Sequence, residues 1–278
     1  MNYYCLIAGL PDIHAEDTKT VSSLIELKLQ MLNEVSAEDA KLVKLLFSTY
    51  DNANFLAYLK NKEAEFSSGG NLTPDDFAGI QAAFHEEPKI QKKSVVPLYI
   101  QQFYLQTLDE TFSFEGVTPE DYLAGKFYES ALKTKNEFLR NWFEFNLNIS
   151  NLLTAITCRK HGFNHKLMVV GNNDVAMLIR QSNARDFGLS GELEYYDVVA
   201  RIAEEPDLLE REKKIDALKW EWLEENTFFK YFSIEKILVY LLKIQMLERW
   251  KILSIEKGTQ IFRELLEGMK EGVKFETV

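Results

Sequence analysis

Cys158, His161 and His165, in the stretch CRKHGFNH, come nearest to a reactive constellation in this chain. On one continuous helix they share a face, and thiolate and imidazole are both zinc ligands. Gly162 is placed to end such a helix before His165, and no fourth ligand lies nearby in sequence. The expected arrangement is therefore Cys158 in the core with both histidines at a surface turn. No phosphate-binding glycine pattern is present, since Gly69-Gly70 and Gly188/Gly191 fit neither GxxxxGK[ST] nor GxGxxG. The carboxylates are interleaved with basic residues, as in Glu210-Arg-Glu-Lys-Lys214, which reads as a solvated face. Asp51 reads as a helix N-cap, and Trp142, Phe143 and Phe145 read as core. No nucleophile–base pair stands out. The expectation is a protein with no catalytic residue, no metal site and no cofactor.

Composition narrows the classes further. The 278 residues are 46% hydrophobic and 27% charged, as in ordinary globular chains. The net charge of −11 argues against nucleic acid and against direct binding to anionic lipid. Two distant cysteines, Cys5 and Cys158, imply no disulfide framework, so a reducing cytoplasm is expected. The start MNYYCLIAGLPDIH lacks a basic region and a long apolar run, and no membrane insertion is expected.

The elements that would position these residues read as helices. Six prolines and thirteen glycines are few for this length. Phe232–Gly258 is the most apolar long run, with Ile237, Leu241, Ile244, Ile252 and Ile255 on one stripe and Leu238, Leu242, Met246 and Leu253 opposite. Such a helix is buried between others. Glu248 projects into the Ile stripe and needs a partner, expected to be Arg159 or Lys160. Tyr3–Leu10 is a short strand or a first helical turn. Ser22–Val35 is a helix, Ser36 caps the next, and Asp51-Asn52 caps the one after. Ser67–Gly70 reads as a flexible break. Thr73-Pro74 and Thr118-Pro119 start helices, the second leading into a run from Tyr122 to about Asn148, followed by a separate helix from Asn148 to Cys158. Val96–Leu108 is another helix, and Lys166–Arg180 is divided by a turn at Gly171. Pro206-Asp207 opens the last helix pair, in which Leu208, Ile215, Leu218 and Trp222 make one face. A short helix over Thr259–Met269 follows. Trp220 lies off that face and is expected to be exposed, a reasonable contact residue. The fold class is all-α.

Three stretches share a local pattern. Asp51-Asn-Ala-Asn54, Asn148-Ile-Ser-Asn151 and Glu248-Arg249-Trp250 are each followed by apolar residues two and five places after the last-named position, with a basic residue beyond. Asn54 and Asn151 are 97 residues apart, and Asn151 and Trp250 are 99 apart, which suggests a triplicated helical unit.

On these residues the chain resembles a family of V-type and archaeal A-type ATPase components, the C subunits, known as d subunits in eukaryotes. Asp51, Asn54, Asn148, Asn151, Arg159 and Lys160 match its repeated D-x-x-N-L pattern with closing basic residues. Ile215-Asp216-Ala-Leu218, Val239–Lys243, Glu248, Arg249 and Lys257-Gly258 match its closing segments. Trp250 stands where that family prefers Asn, Phe55 replaces a Leu, and the Lys–Gly order is reversed. The resemblance implies three related helical bundles around a central socket with pseudo-threefold symmetry: residues 1–100, closing with the C-terminal helices, 101–190 and 191–278. It further implies a non-catalytic central-stalk component that seats the rotor shaft, made of the D and F subunits. The other face would rest on the membrane proteolipid ring, placing the protein at the inner face of the cell membrane. Trp220 and Trp250 are then the candidate partner-binding residues. A free-standing helical adaptor and, behind it, a small metalloenzyme are the other two readings.

Overall fold

The computed structural model describes residues 2–17, 22–109, 111–114 and 116–252. Among these residues there are thirteen helices and no strand, so the fold is all-α. The readings on Leu253, Ile255, Lys257-Gly258 and Thr259–Met269 fall outside the described residues.

The first helices are set by their caps. Tyr3–Leu10 resolves into the short helix α1, Tyr4–Ala8. Ser23 caps α2, Leu24–Glu34, with Glu26 completing the reciprocal box. Ser36 caps α3, Ala37–Leu46, through the Asp39 amide. Asp39 does not reach back to the Ser36 N–H; that group donates to the Tyr3 hydroxyl at 3.1 Å, and Tyr3 in turn donates to Asp39. The Tyr3 hydroxyl thus takes the reciprocal place that Asp76 fills at the Thr73 cap.

α4 runs Ser48–Lys60, so Asp51 lies inside the first turns and is not its cap. Thr73 caps α5, Pro74–Glu86, with Pro74 at the first position, and α6 runs Leu98–Leu108. Thr118-Pro119 begins α7, Pro119–Ala131. The expected run to Asn148 is cut after Leu132, where Asn136 starts a new helix by accepting from the Leu139 N–H. That helix, α8, runs unbroken over Glu137–His161 and absorbs the separate segment expected from Asn148. Its buried face repeats through Phe138, Leu139, Trp142, Phe145, Ile149, Leu152 and Ala155 and takes in Asn148 and Asn151, so the helix continues past Asn148. Gly162, in the left-handed conformation at φ 74°, ends it.

α9, His165–Met168, and α10, Asp174–Gln181, flank the Gly171 turn. α11, Tyr196–Ala203, and α12, Leu208–Glu225, follow, the latter capped by Asp207. Leu208 is exposed, so the apolar face of α12 begins only at Ile215. α13, Ile234–Ile252, is buried nearly all round: Ile237, Leu238, Val239, Leu241, Leu242, Ile244, Met246 and Leu247 are all enclosed. It packs against α2, α3 and α12, while α8 packs against α7, α9, α10 and α11, and α4 bridges α3, α5 and α7. One hydrophobic core runs through these layers from Tyr3 to Met246.

Candidate functional site

The polar residues that the core encloses include four of the repeated pattern. Asp51, Asn54, Asn148 and Asn151 are all at least 97% buried. On α4, the Asn54 side chain clamps one residue of the following loop. Its Nδ2 donates to the Ser67 carbonyl at 2.9 Å, and its Oδ1 accepts from the Ser67 N–H at 2.8 Å. On α8, Asn151 does the same to Val170, with both bonds at 2.8 Å. An asparagine amide mimics a peptide edge, so it pairs with one backbone residue in both directions.

One turn earlier stands a second anchor. Asp51 accepts from the N–H groups of Asn71 and Leu72 at 2.5 and 2.9 Å and from Asn71 Nδ2 at 2.6 Å. These groups lead directly into the Thr73 cap of α5. Asn148 accepts from Asn173 Nδ2 at 2.8 Å, and Asn173 is itself the cap of α10. Each anchor therefore fixes the entry of a later helix.

The stretch Ser67–Gly70, expected to be a flexible break, is held by several bonds. Besides the Asn54 clamp, the buried Lys28 donates to the Gly69 and Gly70 carbonyls, both at 2.8 Å, and lies over the Phe47 ring. A Cβ on Gly70 would meet Asn54 Nδ2 at 2.7 Å and Asp51 Oδ1 at 2.9 Å. The glycine serves close approach, not freedom. Burial raises the Asp51 pKa, opposed by the Asn71 and Leu72 hydrogen bonds and by Lys28. Burial likewise lowers that of Lys28, opposed by Asp51.

The third stretch of the pattern, on α13, is built differently. Glu248 is half-buried and pairs with neither Arg159 nor Lys160. Its Oε1 accepts from the Leu24 N–H at 2.7 Å, at the first position of α2. A carboxylate is favoured there by the helix dipole and by an orphan amide. Arg159 instead turns into the loop after α10, donating to the carbonyls of Ser182, Ala184 and Arg185, and stacks 3.6 Å from the Phe187 ring centroid. Lys160 is exposed.

Asp216, Arg249 and Trp250 do come together. Arg249 donates to Asp216 at 2.5 Å and to Glu212 at 3.1 Å, and Trp250 Nε1 donates to Asp216 at 2.8 Å. Trp220 is half-buried, not exposed: Lys243 lies over its ring, and its Nε1 donates to Glu224 at 2.9 Å. Trp220 and Trp250 nonetheless line one apolar groove of about 450 Å³ together with Met246 and Leu247.

A second cavity, of about 380 Å³, lies where α4, α7, α8, α12 and α13 converge. Its walls include Tyr50, Tyr128, Trp142, Phe143, Lys219 and Met246. Nothing in the sequence singles out Lys219, because its position on α12 resembles any other lysine of a charged face. An exposed apolar feature stands at the α12–α13 connection, where Phe228 and Phe229 are 64% and 81% exposed and Tyr231 stands beside them.

A family model described as Protein of unknown function (DUF2764) matches residues 1–273. The chain belongs to that family. No curated protein and no solved structure matches it. In this family member, Cys158 is buried, His161 is exposed, and His165 Nε2 lies 3.1 Å from the Ile179 carbonyl. The three do not converge, because Gly162 turns the chain between them, and no group of metal-ligating side chains occurs among the described residues. Among those residues no helix is long and apolar enough to cross a membrane.

Proposed function

We propose that this chain is a non-catalytic coupling component of a V/A-type rotary ATPase, seating the central shaft of D and F subunits and resting on the membrane proteolipid ring. One observation carries the reading: the buried Asn clamp recurs with the same two hydrogen bonds on α4 and α8. Two amphipathic helices that happened to look alike would have no reason to share a bidentate grip on a downstream backbone residue. Glu248, on α13, lies one residue off the register of Asp51 and Asn148, yet it too secures the start of another helix, α2. This recurrence favours three related units, 1–100, 101–190 and 191–278, arranged with pseudo-threefold symmetry. The 99-residue spacing of Asn136 and Glu235, which bond each other at 3.0 Å, is compatible with that arrangement.

In this reading the work is mechanical, and Trp220 and Trp250 belong to a surface that meets a partner. The protein would sit peripherally at the inner face of the cell membrane through the complex. Affinity capture of the full chain from native membranes tests this. The expected result is co-recovery of the shaft and the proteolipids. Capture of neither, from membranes in which the ATPase is intact, rejects it. The exposed rings of Phe228, Phe229 and Tyr231 favour one other reading, a free-standing helical adaptor. Capture of a defined protein complex without any ATPase component would select that reading.

A further inference from the structure

The cavity of about 380 Å³ between α4, α7, α8, α12 and α13 combines an apolar wall with a cation that has no bonded partner. Arg249 engages both carboxylates near Lys219, Asp216 and Glu212. Glu248, also in the wall, is bonded to the Leu24 amide. Among the described residues Lys219 has no hydrogen bond and no ion pair. Two hydroxyls stand in the same wall. Tyr50 accepts from Gln245 at 3.1 Å and keeps its own proton to donate; Tyr128 has no hydrogen-bond partner among the described residues. Phe127, Trp142, Phe143 and Met246 supply the apolar side.

The volume falls in the roughly 300–1,000 Å³ range of small-molecule sites, which pair mostly apolar walls with a few convergent polar groups. An ammonium without a bonded counter-charge in such a place asks for an anion. Asp216, Glu212 and Glu248 nearby disfavour more than one negative charge, so a dianionic phosphate fits poorly. We propose that this cavity binds a small monocarboxylic acid on an apolar or aromatic frame, the carboxylate meeting the Lys219 ammonium and the Tyr50 and Tyr128 hydroxyls. Burial, with a smaller push from Arg249, lowers the Lys219 pKa against the opposing pull of Asp216 and Glu212, consistent with a cation incompletely compensated. The site is independent of the coupling role proposed above, and capture experiments do not bear on it.

The test is calorimetric titration of the full chain with phenylacetate and hexanoate, each beside its neutral amide. The acids are expected to bind at least about tenfold more tightly than the amides, equivalent to about 1.4 kcal/mol. Lys219→Met should bring the acids down to the amides' affinity, and Lys219→Arg should retain the preference. Both variants are expected to melt as cooperatively as the parent, because neither removes a bonded partner. Absence of saturable acid binding below about 10 mM, which leaves under about 3 kcal/mol of affinity, overturns the proposal. Equal binding of acid and amide, or acid binding unchanged in Lys219→Met, overturns it as well.

Discussion

The clamps on α4 and α8 grip their loops with the same amide and differ in the residue one turn earlier. On α4 that residue is an aspartate, enclosed near Lys28. On α8 it is an asparagine, answered by Asn173 and by the Tyr195 hydroxyl at 3.0 Å. The first clamp therefore sequesters two opposite charges; the second contains only dipoles. The geometry that a helix entry needs can be met by either chemistry. What separates them is the cost of losing one member. A neutral network loses hydrogen bonds, whereas a charged one leaves an uncompensated ion.

That difference is largest in truncation. Asp51→Ala should destabilise the chain by about 3–5 kcal/mol, because two backbone N–H groups lose their acceptor and Lys28 loses its counter-charge. Asn148→Ala should cost only about 1–2 kcal/mol. Equal losses in urea unfolding would break the distinction. The shared element gives the next effect: Asn54→Ala and Asn151→Ala should each cost about 2–3 kcal/mol, and by similar amounts, since each orphans a backbone N–H and carbonyl. A difference of more than about twofold would mean that the two grips are not equivalent. Glu248→Ala should cost about 1 kcal/mol, the value of a helix-start acceptor, with Glu248→Gln close to neutral. A loss as large as that of Asp51→Ala would place Glu248 among the enclosed charges after all.

The smallest effect is the pH dependence. Burial raises Asp51 above its ordinary 3.8 in the folded chain. Between that value and the raised one the folded chain holds more protons than the unfolded chain. Asp51 therefore contributes stability that is complete below the unfolded pKa and is lost as pH rises through the folded one. Asp51→Asn removes this contribution and makes the first clamp chemically like the second. The parent's stability relative to Asp51→Asn should accordingly be greater near pH ~4 than near pH ~7 in matched urea titrations. A difference that is constant or grows with pH would contradict the enclosed-acid picture.

Much of the scaffold is legible in the sequence because its signals are local. Thr73-Pro74, Thr118-Pro119 and Pro206-Asp207 carry their caps within four residues, and the apolar run of α13 announces a buried helix. The anchor residues are legible as a recurrence, but their roles are not. Asn54 reaches 13 residues ahead and Asn151 19, so their partners depend on the path of a loop and not on a period. The same cause makes Asp51 an acceptor for the entry of α5 where a cap is expected, and Ser67–Gly70 a bound segment where a break is expected. Glu248 looks like a charge in need of a charge, yet its partner is an amide 224 residues away in sequence. Asn148 and Asn151 interrupt the hydrophobicity of α8 and suggest a boundary; buried and bonded, they continue the helix instead.

The unbroken length of α8 has a mechanical corollary. Twenty-five residues at about 1.5 Å each make a rod of roughly 37 Å. Asn136 fastens one end to α13 through Glu235, Asn148 and Asn151 grip it near the middle, and Arg159 bolts the far end to the 182–185 loop. With no proline or glycine inside it to yield, a displacement imposed at one end arrives at the other as translation and rotation, with little of it spent on bending.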